Sequence, residues 1–116
     1  MAGNKGKGLH SYTVQEGTNA GLGQGGSMFI NGAASNTAPS GQVFVSITFL
    51  TATNFTSLVA EDNTLYMGTT GTTSDSQPPG DLITASEIFP AGATIYGRWT
   101  TIQVGASDMV VAYLGS

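Results

Sequence analysis

The chain has 116 residues, of which 9% are charged, and its net charge is -4 with only three basic residues. This length fits a single domain, and an ordinary domain carries about 25% charged residues. A nucleic-acid-binding surface needs a cluster of Lys and Arg to displace counterions, which three basic residues cannot form. We therefore expect no nucleic-acid partner, and a surface so poor in charge favours association with other proteins.

Targeting and redox signals are also sparse. The chain has no cysteine, which excludes disulfide bonds and thiolate metal sites. The N-terminal sequence MAGNKGKGLHSYTV lacks the apolar core of a signal peptide. The longest apolar run, VFVSITFL at 43–50, is too short and too polar to span a bilayer. We expect a soluble protein with no membrane partner that is not exported by the usual route.

Residues 1–27 form a predicted glycine-rich N-terminal arm, with glycine at eight positions. Glycine loses the most backbone entropy on ordering, so this stretch has little intrinsic reason to fold alone. Two interpretations stay open: a flexible tail, or an arm that becomes ordered against a neighbouring chain. In the second case the apolar side chains Leu9, Tyr12 and Val14 are the candidate interface residues.

The β domain is predicted to span residues 28–116. Residues 43–50 are rich in β-branched and aromatic side chains, and their alternation predicts a strand. The predicted apolar face of that strand comprises Val43, Val45, Ile47 and Phe49. Residues 55–60 and 64–68 are predicted to be the next strands, joined by a turn at 61–63.

The following segments continue the same pattern of strands and turns. Residues 69–81 are predicted to be an exposed loop, because they are poor in apolar side chains and contain Pro-Pro-Gly. A turn at 90–92 precedes a long strand at 93–104, which Gly97 interrupts. An interior glycine in a strand marks a bulge or a close approach of another backbone or ring. Residues 105–107 are predicted to form a hairpin turn into a returning strand at 108–114.

No segment shows apolar residues at helical spacing over three turns, and strong helix formers are scarce. The predicted fold is therefore all-β, a small antiparallel sandwich or jelly-roll-like barrel preceded by the glycine-rich arm. On the long strand, Tyr96 and Arg98 share one face and Trp99 lies on the other. We predict that Trp99 is inside. Tyr96 and Arg98 then lie outside or at a subunit contact, where Arg98 can bind a carboxylate or carbonyl of a neighbour.

The C-terminal quarter resembles a module of small structural virion proteins of marine tailed phages. That module has an FPAG-x-x-IYGR-aromatic-T strand, a turn and a final V-I-A-Y-like strand, and here the matching segments are FPAG, IYGRWT and VVAY within 89–115. Val111 stands where isoleucine is common. The resemblance implies a virion protein bound to the major capsid protein or another virion protein. It also implies assembly in the host cytoplasm and a homo-oligomer, with a trimer favoured.

Catalytic and cofactor motifs are weak. Residues 21–26 match G-x-G-x-x-G, but the dinucleotide motif needs a flanking strand and helix and a nearby acid, whereas none follows until Glu61. His10 is the only histidine, which leaves no Ser-His-Asp triad and no multi-histidine metal site. Asp75 and Asp81 belong to no D-x-D-x-D loop, so we interpret them as solvated acids rather than calcium ligands. We expect no enzymatic activity and no cofactor.

Two functions therefore remain from the sequence. A capsid decoration protein, which binds and stabilises the capsid surface, accounts for the low charge, the small β domain and the arm together. The alternative is a tail-fibre or receptor-binding module that recognises a host surface glycan, which requires exposed aromatic side chains.

Overall fold

The computed structural model describes residues 25–116 and contains six strands in that range. They are β1 (Ser27–Asn31), β2 (Asn36–Thr37), β3 (Val43–Phe49), β4 (Phe55–Ala60), β5 (Thr94–Val104) and β6 (Met109–Gly115). Every pairing between them is antiparallel, and no helix occurs within the described range. The all-β prediction is confirmed.

Strand β5 connects the parts of the sheet, because different sections of it pair with different strands. Its section 94–99 pairs with β3, and its section 99–104 pairs with β4. Ile102 has Asn36 of β2 on one side and Leu58 of β4 on the other. The strand order is β1-β6-β3-β5-β2, with β4 added to β5, and the antiparallel sheet is nearly closed into a barrel.

A bulge at Val45 changes which side chains of β3 face the core. Phe44 pairs with Leu114 of β6 and Ser46 pairs with Tyr113, so Val45 has no partner residue between them. One extra residue in a strand reverses the alternation that follows it. The predicted face of β3 is therefore wrong at Phe44 and Val45: Phe44 joins Ile47 and Phe49 in the core cluster, whereas Val45 is only partly buried. Val43 is buried as predicted, although it lies outside that cluster.

The sequence predicted strand β4 at its observed bounds, but the predicted strand at 64–68 is wrong. The carboxylate of Asp62 accepts hydrogen bonds from the backbone N–H and the hydroxyl of Thr64, and the carbonyl of Asp62 accepts one from Tyr66. An Asp side chain that bonds the backbone two residues on turns the chain instead of extending it. Residues 69–81 contain no strand and are mostly exposed, as predicted.

The predicted turn after β5 forms, but the strands on either side of it are not a hairpin. β5 and β6 each pair with β3, which lies between them. The turn is held by Asp108, whose buried carboxylate accepts hydrogen bonds from the backbone N–H groups of Gly105 and Asn54 at 3.1 and 3.2 Å. Hydrogen bonds from backbone N–H groups to a carboxylate are strong, so Asp108 can hold this turn although β5 and β6 form no ladder with each other.

The start of the sheet and strand β2 were not predicted. β1 begins at Ser27, one residue before the predicted domain boundary, and the carbonyl of Gly26 accepts a hydrogen bond from the N–H of Leu114 at 2.8 Å. Gly25 also contacts the domain, since its carbonyl accepts a bond from the side chain of Gln42. Residues 25–27 therefore belong to the β domain, although the sequence assigned them to the arm.

Candidate functional site

The outward side of β1, β6, β3 and β5 forms a continuous surface, which we call the outer face. Because antiparallel strands place directly paired residues on the same face, its composition follows from the register. One row crosses the four strands as Phe29, Val111, Thr48 and Thr94. The row beside it comprises Ser27, Tyr113, Ser46 and Tyr96. A third, shorter row comprises Asn31, Met109 and Leu50.

The outer face contains no charged side chain and exposes several large apolar ones. Tyr96 is 71% exposed, Phe29 61% and Leu50 47%. The polar groups between them partly satisfy one another, since the hydroxyls of Thr48 and Thr94 form a hydrogen bond of 2.9 Å. Val111, Met109 and Tyr113 of β6 lie on the same face between Phe29 and Tyr96. Apolar side chains collected on one face indicate an interaction surface.

Gly97 lies in a bulge of β5 and is covered by the ring of Trp99. Gly97 and Arg98 together lie opposite the single residue Val45, which makes a bulge in β5. A Cβ at Gly97 would lie 2.7 Å from Cζ2 of Trp99, so the indole ring covers this glycine. The prediction of a bulge or a close approach at Gly97 is confirmed, and so is the prediction that Trp99 is inside while Tyr96 is outside.

Arg98 lies just beyond Tyr96 at one end of the outer face and is already engaged within its own chain. Its Nε donates to Oε1 of Glu61 at 2.6 Å, and its Nη1 donates to the carbonyl of Ser116 at 3.1 Å. The sequence predicted a carboxylate or carbonyl partner across an interface. The structure supplies one of each intramolecularly, and the role of Arg98 at an interface stays a prediction.

The hydrogen bond from Arg98 is the main cause that holds the pKa of Glu61 below its ordinary value of 4.5. A carboxyl with a lower pKa in the folded than in the unfolded chain stabilises the fold above its unfolded-state pKa. That contribution is lost as the pH falls through the folded-state pKa.

We expect Glu61→Gln to remove this pH-dependent contribution. The stability difference between the parent chain and the variant should be present at pH 7 and should close in acid, below the ordinary pKa of 4.5. Urea unfolding at a series of pH values measures it. For Arg98→Gln the difference from the parent chain should shrink over the same pH range, because the cause of the lowered Glu61 pKa is removed, while the loss of the bond to Ser116 stays constant. A difference that stays constant down to acid pH would contradict the assignment.

Other candidate residues from the sequence are placed as follows. Leu9, Tyr12 and Val14 lie outside the described residues. Asp75 and Asp81 are exposed in the loop between β4 and β5. Within residues 25–116, no three His, Asp or Glu side chains are grouped closely enough to hold a metal ion. Residues 25–116 likewise contain no helix that could span a membrane.

Sequence reasoning identified Tyr96 but missed Phe29 and Leu50. Met28, Phe29 and Ile30 form a short apolar run between Gly26 and Gly32, which is a strand signal that could have indicated β1. Even so, the order β1-β6-β3-β5 joins segments that are far apart in the sequence, so the shared face of Phe29 and Tyr96 follows only from the sheet. No protein-family model, curated protein or solved structure matches this chain.

Proposed function

We propose that this protein is a structural component of a phage particle, most specifically a capsid decoration protein. It binds the major capsid protein from outside and stabilises the shell, acting as a homo-oligomer for which a trimer is favoured. The resemblance of the C-terminal quarter to virion proteins suggests the particle. The low charge and small β domain are consistent with a protein whose role is to be bound in an assembly.

The observation that carries the proposal is the uncharged outer face with its exposed Tyr96 and Phe29. The centre of a protein interface is depleted in charged residues and enriched in Tyr, Phe and Met. The outer face has this composition across four strands, and Met109 and Tyr113 contribute to it. Each Å² of apolar area removed from water contributes about 25 cal/mol to such a complex, before the cost of lost translational, rotational and side-chain freedom is subtracted.

Co-sedimentation with the capsids of the encoding phage tests this function, with Tyr96→Glu as the decisive variant. A charge placed on the outer face would be desolvated on binding, so we expect at least a tenfold loss of capsid affinity. Ile88→Glu is the matched control, because Ile88 is also 71% exposed but lies in the loop before β5. Failure of the parent protein to co-sediment, or equal binding by both variants, would contradict the proposal.

Attachment to the capsid should depend little on salt. The outer face offers hydroxyl, backbone and apolar contacts, whereas salt screens long-range attraction between charges over about 8 Å at physiological ionic strength. We expect the capsid affinity to change less than about threefold between roughly 0.1 M and 0.5 M NaCl. Binding isotherms at several salt concentrations measure this. A fall of several orders of magnitude would instead reveal an anchor made of charges.

A receptor-binding or fibre-tip module is the second candidate, and the exposed rings of Tyr96 and Phe29 favour it. Aromatic faces exposed to solvent can stack on sugar rings, and the hydroxyls of Thr48 and Thr94 lie on the same face. The two functions predict different binding partners. A decoration protein co-sediments with capsids and ignores host cells, whereas a receptor-binding module binds host glycans and is carried by the tail.

A further inference from the structure

Among the strands of residues 25–116, β1 ends the sheet on one side, and none of them pairs with its outer edge. Within residues 25–116, β6 is the only strand that pairs with β1. The carbonyl of Gly26 accepts a bond from Leu114, and the N–H of Gly32 donates to the carbonyl of Asp108. Antiparallel ladders alternate, so the even-numbered residues of β1 bond to β6. The peptide groups of Ser27, Phe29 and Asn31 therefore point away from the sheet.

This edge lacks the features by which proteins usually prevent strand addition. Edge strands are commonly protected by charged side chains, by proline or by a bulge. The sequence of β1, SMFIN, contains no charge and no proline, and its five residues pair with β6 in unbroken register. Met28 is only partly buried at the border of the core, so an added strand would also cover apolar surface.

We propose that residues 11–15 of a neighbouring copy of this chain add to the free edge of β1 as an extra strand. Their sequence, SYTVQ, alternates polar and apolar side chains. In an added strand, Tyr12 and Val14 point to the same side and can cover Met28. Ser11, Thr13 and Gln15 then lie on the outer face beside Phe29. The open edge supplies the backbone partners, and the pattern of the segment matches the two sides of the sheet.

The spacing of the segment favours a neighbouring copy over the chain's own edge. Hairpin loops are usually 2–5 residues long, whereas residues 16–26 separate the segment from β1. At Gly25, the first described residue, the backbone still lies close to the carbonyl of Leu114 in β6. Extended at about 3.3 Å per residue, 11 connecting residues reach roughly 36 Å. A donor strand passed from each copy to the next is a heterologous contact, which can close a ring such as a trimer.

Hydrogen exchange of the isolated full-length protein tests this inference without any capsid. The amides of Ser27, Phe29 and Asn31 report on the free edge. We expect them to exchange at least tenfold more slowly at high protein concentration than after dilution below the dissociation constant of the oligomer. Removal of residues 1–24 should abolish this protection at every concentration, while the amide of Ile30, which faces β6, stays protected in both proteins.

Proline variants distinguish the proposed strand at residues 11–15 from the connecting residues 16–26. Thr13→Pro removes a backbone donor from the proposed strand and should abolish the protection of the edge amides. Thr18→Pro lies in the connecting residues and should leave that protection unchanged. On the edge itself, Phe29→Pro should prevent oligomerisation measured by light scattering, and Phe29→Leu, which keeps the N–H, should preserve it. Three results would overturn the proposal. They are fast exchange at all concentrations, protection that is independent of concentration, and concentration-dependent protection that survives Thr13→Pro.

Discussion

Replacing Trp99 with alanine is expected to lower the free energy of unfolding by about 3–5 kcal/mol, the range for large aromatic side chains removed from a core. Trp99 is fully buried and lies where three strands meet, because it pairs with Phe44 of β3 and with Ala60 of β4. Its Nε1 donates a hydrogen bond of 2.8 Å to the carbonyl of Met67. The substitution therefore leaves a cavity and an acceptor without its donor.

The measurement is a urea titration of the parent chain and three variants of the same strand. Tyr96→Ala is the matched control: it also removes an aromatic side chain from β5, but one that is 71% exposed. Surface substitutions usually change stability by less than about 0.5 kcal/mol. If Trp99→Ala and Tyr96→Ala cost the same within about 1 kcal/mol, the indole does not anchor the core. Trp99→Phe separates the two contributions, since it keeps most of the ring volume and loses the hydrogen bond.

Period-two alternation could predict much of this fold, because strands with one buried side leave that pattern in the sequence. It placed β4 and β5 within one residue of their bounds and put Trp99 inside. The prediction failed where a bulge or a side-chain hydrogen bond interrupted the alternation. The bulge at Val45 reverses the alternation of β3, and nothing in a valine between Phe44 and Ser46 signals it. The Asp62 turn uses side-chain hydrogen bonds that compete with a strand.

The candidate site was less predictable than the fold. Its members come from four strands whose order is not their order in the chain, and β5 and β6 are separated by β3 although a short turn connects them. An alternating pattern states which side chains share a face of one strand. It does not state which strands lie next to each other, so Phe29 and Tyr96 could not be assigned to one surface from the sequence.

The junction between the arm and the β domain defines the most informative deletion. The sequence placed the boundary after Ser27, but Gly26 accepts a hydrogen bond from Leu114, and Ser27 pairs with Tyr113. A deletion of residues 1–27 would therefore remove part of the sheet as well as the arm. Deletion of residues 1–24 leaves every described contact of the domain in place and tests the arm alone.

Deletion of residues 1–24 is expected to leave a β protein that melts cooperatively while weakening self-association or capsid binding at least tenfold. A tenfold loss corresponds to about 1.4 kcal/mol. The fold should persist because the core cluster lies within 30–114. Association should weaken because the deletion removes Leu9, Tyr12 and Val14. Thermal melts, light scattering and a capsid pull-down measure the three quantities. If the truncated chain associates and binds as well as the parent, attachment depends on the outer face alone.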